Sequence, residues 1–162
     1  MMNRRLNLSE RDLYDAALQE YRELEAGIRQ FTANSMQTKN WSVIVGLAGI
    51  LVAFIQKQPA ILLLSPITAI LFWVMDARWR AYLFCFIERQ KEIESYFLGD
   101  VQQYIGPQIN RSFDRSFDRM KNELSAWSFA RNSSIHIPHS IVAFVAVSAY
   151  ALTTLGIIAF PQ

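Results

Sequence analysis

His136 and His139 lie three residues apart in "SSIHIPH", a spacing at which two imidazoles on one helical turn can share a metal ion. No carboxylate or cysteine adjoins them in the sequence, and Pro138 between them interrupts a local helix, so an interfacial entry into the apolar run that follows is the better reading. The charged stretches "DARWR" and "ERQKEIE" bring acids and bases together. Such clusters more often make a solvated or inter-subunit helix face than a general acid/base pair. The arginine and aromatic mixture of "DARWRAY" suits contacts to a phosphate or a small nucleotide, which makes Arg78, Arg80 and, further on, Arg89 the candidate signal-binding residues. A formal net charge of only +2 argues against nucleic acid. The chain contains no GxxxxGK(S/T), GxGxxG, HExxH, CxxC or GxSxG. No catalytic residue, metal or cofactor is therefore expected, and the chain reads as a non-enzyme.

What must position these residues is a chain written for two solvents. Of 162 residues, 52% are hydrophobic and 19% charged, too apolar for an average soluble domain and too charged for one wholly within a bilayer. No Asp, Glu, Lys or Arg occurs from Trp41 to Gln56, from Gln58 to Met75, or after Arg131. "IPHSIVAFVAVSAYALTTLGIIAF", residues 137 to 160, is long enough to span hydrocarbon, which takes about 20 apolar residues. "PAILLLSPITAILFWVM" is slightly short but ends in Phe72 and Trp73, aromatics that settle at headgroup level. "WSVIVGLAGILVAFI" spans only if "NSMQT" enters the interface or Lys39 and Lys57 snorkel outward; a re-entrant hairpin is the alternative. Only "QKQP" separates these two runs, so they fold back on each other.

The expected fold is an all-α membrane protein of three transmembrane helices, a short N-terminal hairpin plus a C-terminal span, with a cytoplasmic helical stalk and bundle. It divides into a stalk helix (1–40), a membrane hairpin (41–76), a cytoplasmic helical segment (77–136) and the last span (137–160). Residues 1–40 carry six Lys/Arg, the hairpin tip one, residues 77–136 nine and the tail none. The positive-inside rule then puts the N-terminus and the middle segment in the cytoplasm, and the tip and C-terminus outside. The single cysteine, Cys85, lies on the reducing side.

Ser9, three residues ahead of Asp12, resembles a capping box. Tyr14, Ala17, Tyr21, Leu24, Ile28 and Phe31 follow at spacings of 3, 4, 3, 4 and 3, a heptad seam for a partner helix that, with the membrane helices, is expected to hold a homo-oligomer together. Without a proline from Ser9 to Gln56, this helix is expected to run into the first membrane segment. Trp79, Leu83, Phe86, Ile93 and Phe97 extend the second membrane helix as a stripe placed to pack on that seam, until Gly99 and Gly106 stop it. A third amphipathic helix, "INRSFDRSFDRMKNELSAWSFARNSS", carries Phe113, Phe117, Met120, Leu124 and Trp127 on one face, for packing or for the inner leaflet.

Small residues mark where membrane helices can approach: Ser42, Gly46, Gly49 and Ala53 on the first, and Ser140, Ala143, Val147, Ala151 and Thr154 on the last. Three helices cannot enclose an aqueous path alone, so a conduit needs several copies. Ser148, Thr153 and Thr154 could line it, although each hydroxyl can instead bond its own helix carbonyl. The expected partners are the chain itself, as a homo-oligomer of four to eight copies, and the lipid bilayer.

Over about residues 14 to 95, with Glu20, Tyr21, Leu24, Pro66, Asp76 and Glu88 in place, the chain resembles small bacterial helical membrane proteins of anti-phage defence: SLATT-like, Hailong-like and Kiwa-like effectors, and octameric membrane proteins of the RipA type. Phe86-Ile87 stands where that pattern prefers Tyr-Ile, and Ala26-Gly27 where it prefers Glu before Ile28. The resemblance implies an oligomeric pore effector that depolarises the inner membrane, restrained by a cytoplasmic regulator protein or a small nucleotide signal. The alternative is a non-conducting oligomeric scaffold or sensor that docks a soluble partner.

Overall fold

A computed structural model of the chain describes residues 9–100, 104–123 and 130–158. The fold is all α, with helices α1 (Glu10–Gln56), α2 (Leu64–Phe97), α3 (Ile109–Glu123) and α4 (Ser133–Thr154), a 3-10 turn at Pro59–Leu63, and no strand among the described residues. Three of these helices are long and apolar enough to cross a membrane, as the charge-free gaps predict.

Local rules explain the two longest helices. Ser9 and Asp12 close a reciprocal capping box, the Ser9 Oγ accepting from the Asp12 amide at 3.2 Å and the Asp12 carboxylate from the Ser9 amide at 3.1 Å. With no proline to stop it, α1 then runs 47 residues, about 70 Å, straight through the expected boundary at residue 40. It ends where Lys57 takes a left-handed φ of 53°, and the Gln58 amide reaches back to the Ala53 carbonyl at 3.1 Å. Pro59 opens the 3-10 turn, and Pro66 lies in the first turn of α2, where its missing amide costs nothing. In turn α2 crosses residue 76 without a break and stops at Gly99, φ 81°, with the Asp100 amide on the Ser95 carbonyl. Residues 40 and 76 thus mark a change of composition, not a break in the helices.

The predicted seam and stripe meet within one chain. Tyr14 and Tyr21 pack on Phe97 with ring centroids 5.3 and 6.1 Å apart, and Phe31 lies 5.1 Å from Phe86 and 5.8 Å from Trp79. Ala17, Leu24, Ile93 and Tyr104 form the buried core of this end. Gly27 leaves room for the Phe86 ring, whose edge would lie 2.9 Å from a Cβ at this position. Helix α3 lays Phe113 and Phe117 against Tyr82, at 6.0 and 6.1 Å, so this face packs on protein. Leu124, Trp127 and Phe160 lie outside the described residues.

At the other end α4 packs on α1, α2 and the 3-10 turn, with Leu62 fully buried among them. The outward faces of all three are apolar and bare: Leu51 is 61% exposed, Leu71 61% and Phe144 73%. A soluble monomer rarely shows so continuous an apolar surface, whereas lipid covers it without cost. Two details differ from expectation. Helix α4 begins at Ser133, capped by Asn132 Oδ1 accepting from the Ser134 amide at 3.1 Å, and ends at Thr154, well before Phe160. Pro138 is consequently inside the helix and not at its start, leaving the Ser134 carbonyl without its usual i+4 donor.

Candidate functional site

On α1 the buried positions Ser35, Thr38, Ser42, Gly46 and Ala53 recur at one or two helical turns and make one face. Its apolar half is tight. A Cβ on Gly46 would sit 2.2 Å from Val142 Cγ1 of α4, and one on Gly49 would sit 2.6 Å from Ser65 Oγ of α2. The Ser65 hydroxyl donates to the Gly46 carbonyl at 3.0 Å, so the two helices of the hairpin touch backbone to side chain. Close approach of this kind is what small residues permit between helices in lipid.

Where the apolar band gives way to the charged bundle, the same face turns polar and three helices converge on one carboxylate. Asp76 of α2 is fully buried. Its Oδ1 accepts from the Ser35 hydroxyl. The Lys39 Nζ stands 3.2 Å from its Oδ2 and donates to Ser35 Oγ at 3.1 Å. From α4, His139 is 3% exposed, with Nδ1 2.8 Å from Ser42 Oγ and Nε2 3.7 Å from Asp76 Oδ2. That last distance is too long for a hydrogen bond, and the Lys39 contact is an ion pair by distance without hydrogen-bond geometry. Asp76 Oδ2 and His139 Nε2 are therefore two buried polar atoms that face each other unbonded. One turn on, Arg80 buries its Nε without a partner. The Trp73 indole donates to the Ala130 carbonyl at 2.9 Å and pins the approach to α4 against α2.

A second buried polar cluster lies about 30 Å further along the bundle, the rise of some twenty helical residues between Glu20 and Lys39. The Glu20 carboxylate takes both nitrogens of an Arg89 fork, at 3.0 and 2.9 Å, together with the Tyr104 hydroxyl and the Gln108 amide at 3.0 Å. Burial by itself would raise this carboxyl; the bonds from Arg89, Tyr104 and Gln108 outweigh it and hold Glu20 below the ordinary glutamate value. Burial, then the bond to Glu20, pushes the Tyr104 phenol well up. The cluster ties α1 and α2 to the segment before α3.

The expected signal-binding arginines are not brought together. Arg89 is buried and spent on Glu20, Glu92 and the Gly106 carbonyl, although it edges a cleft of about 310 Å³ with Tyr96, Tyr104 and Arg115. Arg78 is exposed, and eleven residues of straight helix hold it about 16 Å from Arg89. Ser42, Gly46, Gly49 and Ala53 do pack helices, but inside the subunit, against α2 and α4. The α4 stripe does not meet them: Ser140, Val147, Ala151 and Thr154 are exposed, and the buried face of α4 is Ile135, His139, Val142 and Ala146. Ser148 is partly buried, while Thr153 and Thr154 donate to their own helix, to Ala149 and Tyr150 at 3.0 and 2.8 Å and to Tyr150 and Ala151 at 3.0 and 2.9 Å. Tyr14, Tyr21, Leu24 and Phe31 of the expected oligomer seam pack on α2 of the same chain, and Ile28 is partly buried.

Sequence reasoning missed the Asp76 cluster as a unit. Its members were visible singly, Lys39 as a snorkelling cation and His139 as half of a histidine pair. The usable signal was the continuation of the Ser42–Ala53 spacing backwards through Lys39 to Ser35. The histidine pair itself divides, with His136 Nδ1 3.1 Å from the Asn132 carbonyl and His139 turned into the bundle. Compared with protein-family models, with curated proteins and with solved structures, the chain gives no match.

Proposed function

We propose that the chain is the subunit of a homo-oligomeric conduit in the bacterial inner membrane, with its N-terminus and charged bundle in the cytoplasm and its C-terminus outside. Opening dissipates the membrane potential, as in the anti-phage effectors that the sequence resembles, and a cytoplasmic regulator or small nucleotide holds it closed. The observation that carries this reading is the pair of uninterrupted helices, α1 and α2, each passing from the apolar band into the charged bundle. A stiff rod transmits a tilt imposed at Tyr14 or Phe97 to Gly46 and Ser65 with no joint to absorb it. The centre of the three-helix unit is filled by the Gly46–Val142 and Gly49–Ser65 contacts, so a path must form between copies. The bare α4 stripe is the face left for that meeting. The test is a voltage-sensitive dye in cells overproducing the chain without a partner, with potassium flux from liposomes holding the purified protein. Depolarisation and flux are expected; intact polarisation with abundant inserted oligomer, with and without phage, would end the conduit reading.

A second reading is the non-conducting scaffold. Two observations favour it: the Thr153 and Thr154 hydroxyls turn to their own backbone, and the described outward faces of the spans carry no charge to line water. Normal polarisation together with capture of a cytoplasmic partner would select it.

A further inference from the structure

Five half-buried rings, Phe31 of α1, Trp79, Tyr82 and Phe86 of α2 and Phe113 of α3, surround a cleft of about 370 Å³, with the centroids of neighbouring rings 5.1–6.2 Å apart. That volume is in the range of small-molecule sites. No charged side chain lines the cleft. Its polar side-chain groups are the Trp79 indole, the Tyr82 phenol and the amide of the exposed Asn110, and none of them has a hydrogen-bond partner among the described residues. The cleft begins where the charge-free run of α2 ends, three residues past Asp76. From Trp79 the same side of α2 continues one turn to Met75, 47% exposed, and another turn to Leu71, on the bare apolar face. A molecule seated among the rings therefore has an apolar track to the surface that lipid covers.

Each of these features narrows the ligand. With no cation on the wall, a phosphate, a nucleotide or a carboxylate gains nothing here. An alkylammonium ion suits the ring faces but leaves the indole N–H, which can only donate, without an acceptor. A phospholipid tail fills the apolar space but leaves all three polar groups unused, and its phosphate finds no lining cation. What the wall offers is electron-rich π-faces for an electron-poor ring, donors for carbonyl oxygens and a track for an apolar tail. We propose that the cleft binds the head of a lipid-soluble quinone, with its carbonyl oxygens accepting from Trp79, Tyr82 or Asn110 and its tail lying along Met75 and Leu71. A quinone is neutral, planar and electron-poor, carries two carbonyls on opposite sides of its ring and is confined to the bilayer by its tail. Because the rings come from three helices, an occupied cleft ties α3 to the α1–α2 pair. Binding requires no electron transfer, and it holds whether the chain is a conduit or a scaffold.

The test titrates the purified full-length protein, in phosphatidylcholine nanodiscs, with decylubiquinone, using empty nanodiscs as the measure of quinone merely dissolved in lipid. Saturable uptake of one quinone per chain above that background is expected. Tyr82→Phe and Trp79→Phe each keep a ring and remove a donor, so binding should weaken about three- to tenfold in at least one of them while the Tm is unchanged. Asn110→Trp, a bulky ring at an exposed position on the rim, should abolish it. Should Trp79→Phe lower the Tm, Tyr82→Phe removes only a hydroxyl without a described partner and keeps the question answerable. Uptake no greater than that of empty nanodiscs, or an affinity that both variants leave in place, overturns the quinone site. Displacement of the quinone by decanol or by phosphatidylglycerol at equal concentration marks a site for alkyl chains or for phospholipid, and overturns it equally. Membrane potential does not enter the readout, so this site and the conduit can fail separately.

Discussion

Glu20 accepts four hydrogen bonds from three places in the chain, and this makes it the residue most exposed to single-site damage. Glu20→Gln leaves the buried Arg89 guanidinium with only the half-exposed Glu92 as counter-charge, a loss of up to about 3–5 kcal/mol for a broken buried pair. Thermal unfolding in detergent should show a large drop in Tm. The pH dependence follows from the sign of the shift. The folded carboxyl lies below the unfolded value of 4.5, so its stabilisation is fully present above pH 4.5 and is lost as pH falls through the folded value. The wild-type Tm should fall on acidification in that window, and Glu20→Gln should fall less. Gly46 gives a second expectation of the same scale. Val142 is β-branched and held to one rotamer in a helix, so it cannot swing away from a Cβ placed 2.2 Å from its methyl. Gly46→Ala should cost about 1–3 kcal/mol by overpacking, and Gly27→Ala less, because the Phe86 ring edge can turn.

Among the elements, the hairpin tip differs from the end of α2 in one respect. Gly99 ends α2 in the left-handed region at no steric penalty, whereas Lys57 ends α1 there as an L-residue at φ 53°. That conformation costs a side-chain-bearing residue about 1–2 kcal/mol, part of which Gly would forfeit as extra freedom in the unfolded chain. Lys57→Gly should raise the Tm by an amount equivalent to about 0.5–1 kcal/mol, and an unchanged or lowered Tm would show that the tip is held by something other than its turn. The stalk seam also changes meaning at this scale. Leu24 is buried against α2 of its own chain, so Leu24→Asp should unfold the bundle of each subunit and not simply disperse an oligomer.

Across the whole molecule, one surface holds the chain together and another is left bare, the face that the proposed oligomer would use. The Gly46 face is consumed inside the chain; the Ala151 face is bare. Ala151→Leu should therefore leave the Tm of the isolated subunit unchanged while lowering the mass seen by native mass spectrometry from the expected four to eight copies. A wild type that is already a single chain would refute the oligomer. Orientation is testable at the tip, since Lys57→Cys should react with a membrane-impermeant maleimide in intact cells. Cys85 will stay silent in the control, because burial pushes its thiol up to about 11. Labelling that needs permeabilised cells would invert the topology.

The sequence by itself determined which segments are apolar enough to cross a membrane, the continuity of α1 and α2 and the pairing of the Tyr14–Phe31 seam with the Trp79–Phe97 stripe. Charge spacing, the absence of proline and heptad periodicity are local properties, and local rules decide them. The end of α4 was less legible, because an apolar run says where lipid is tolerated and not where hydrogen bonding stops. Only the tertiary structure decided which faces are spent within a subunit and which buried charges meet. Lys39, Asp76 and His139 are far apart in the chain, and nothing local to any of them specifies the other two. Their meeting depends on the rotation of three helices about their axes. That rotation is set by where Gly46 lets Val142 approach and where Ser65 finds the Gly46 carbonyl.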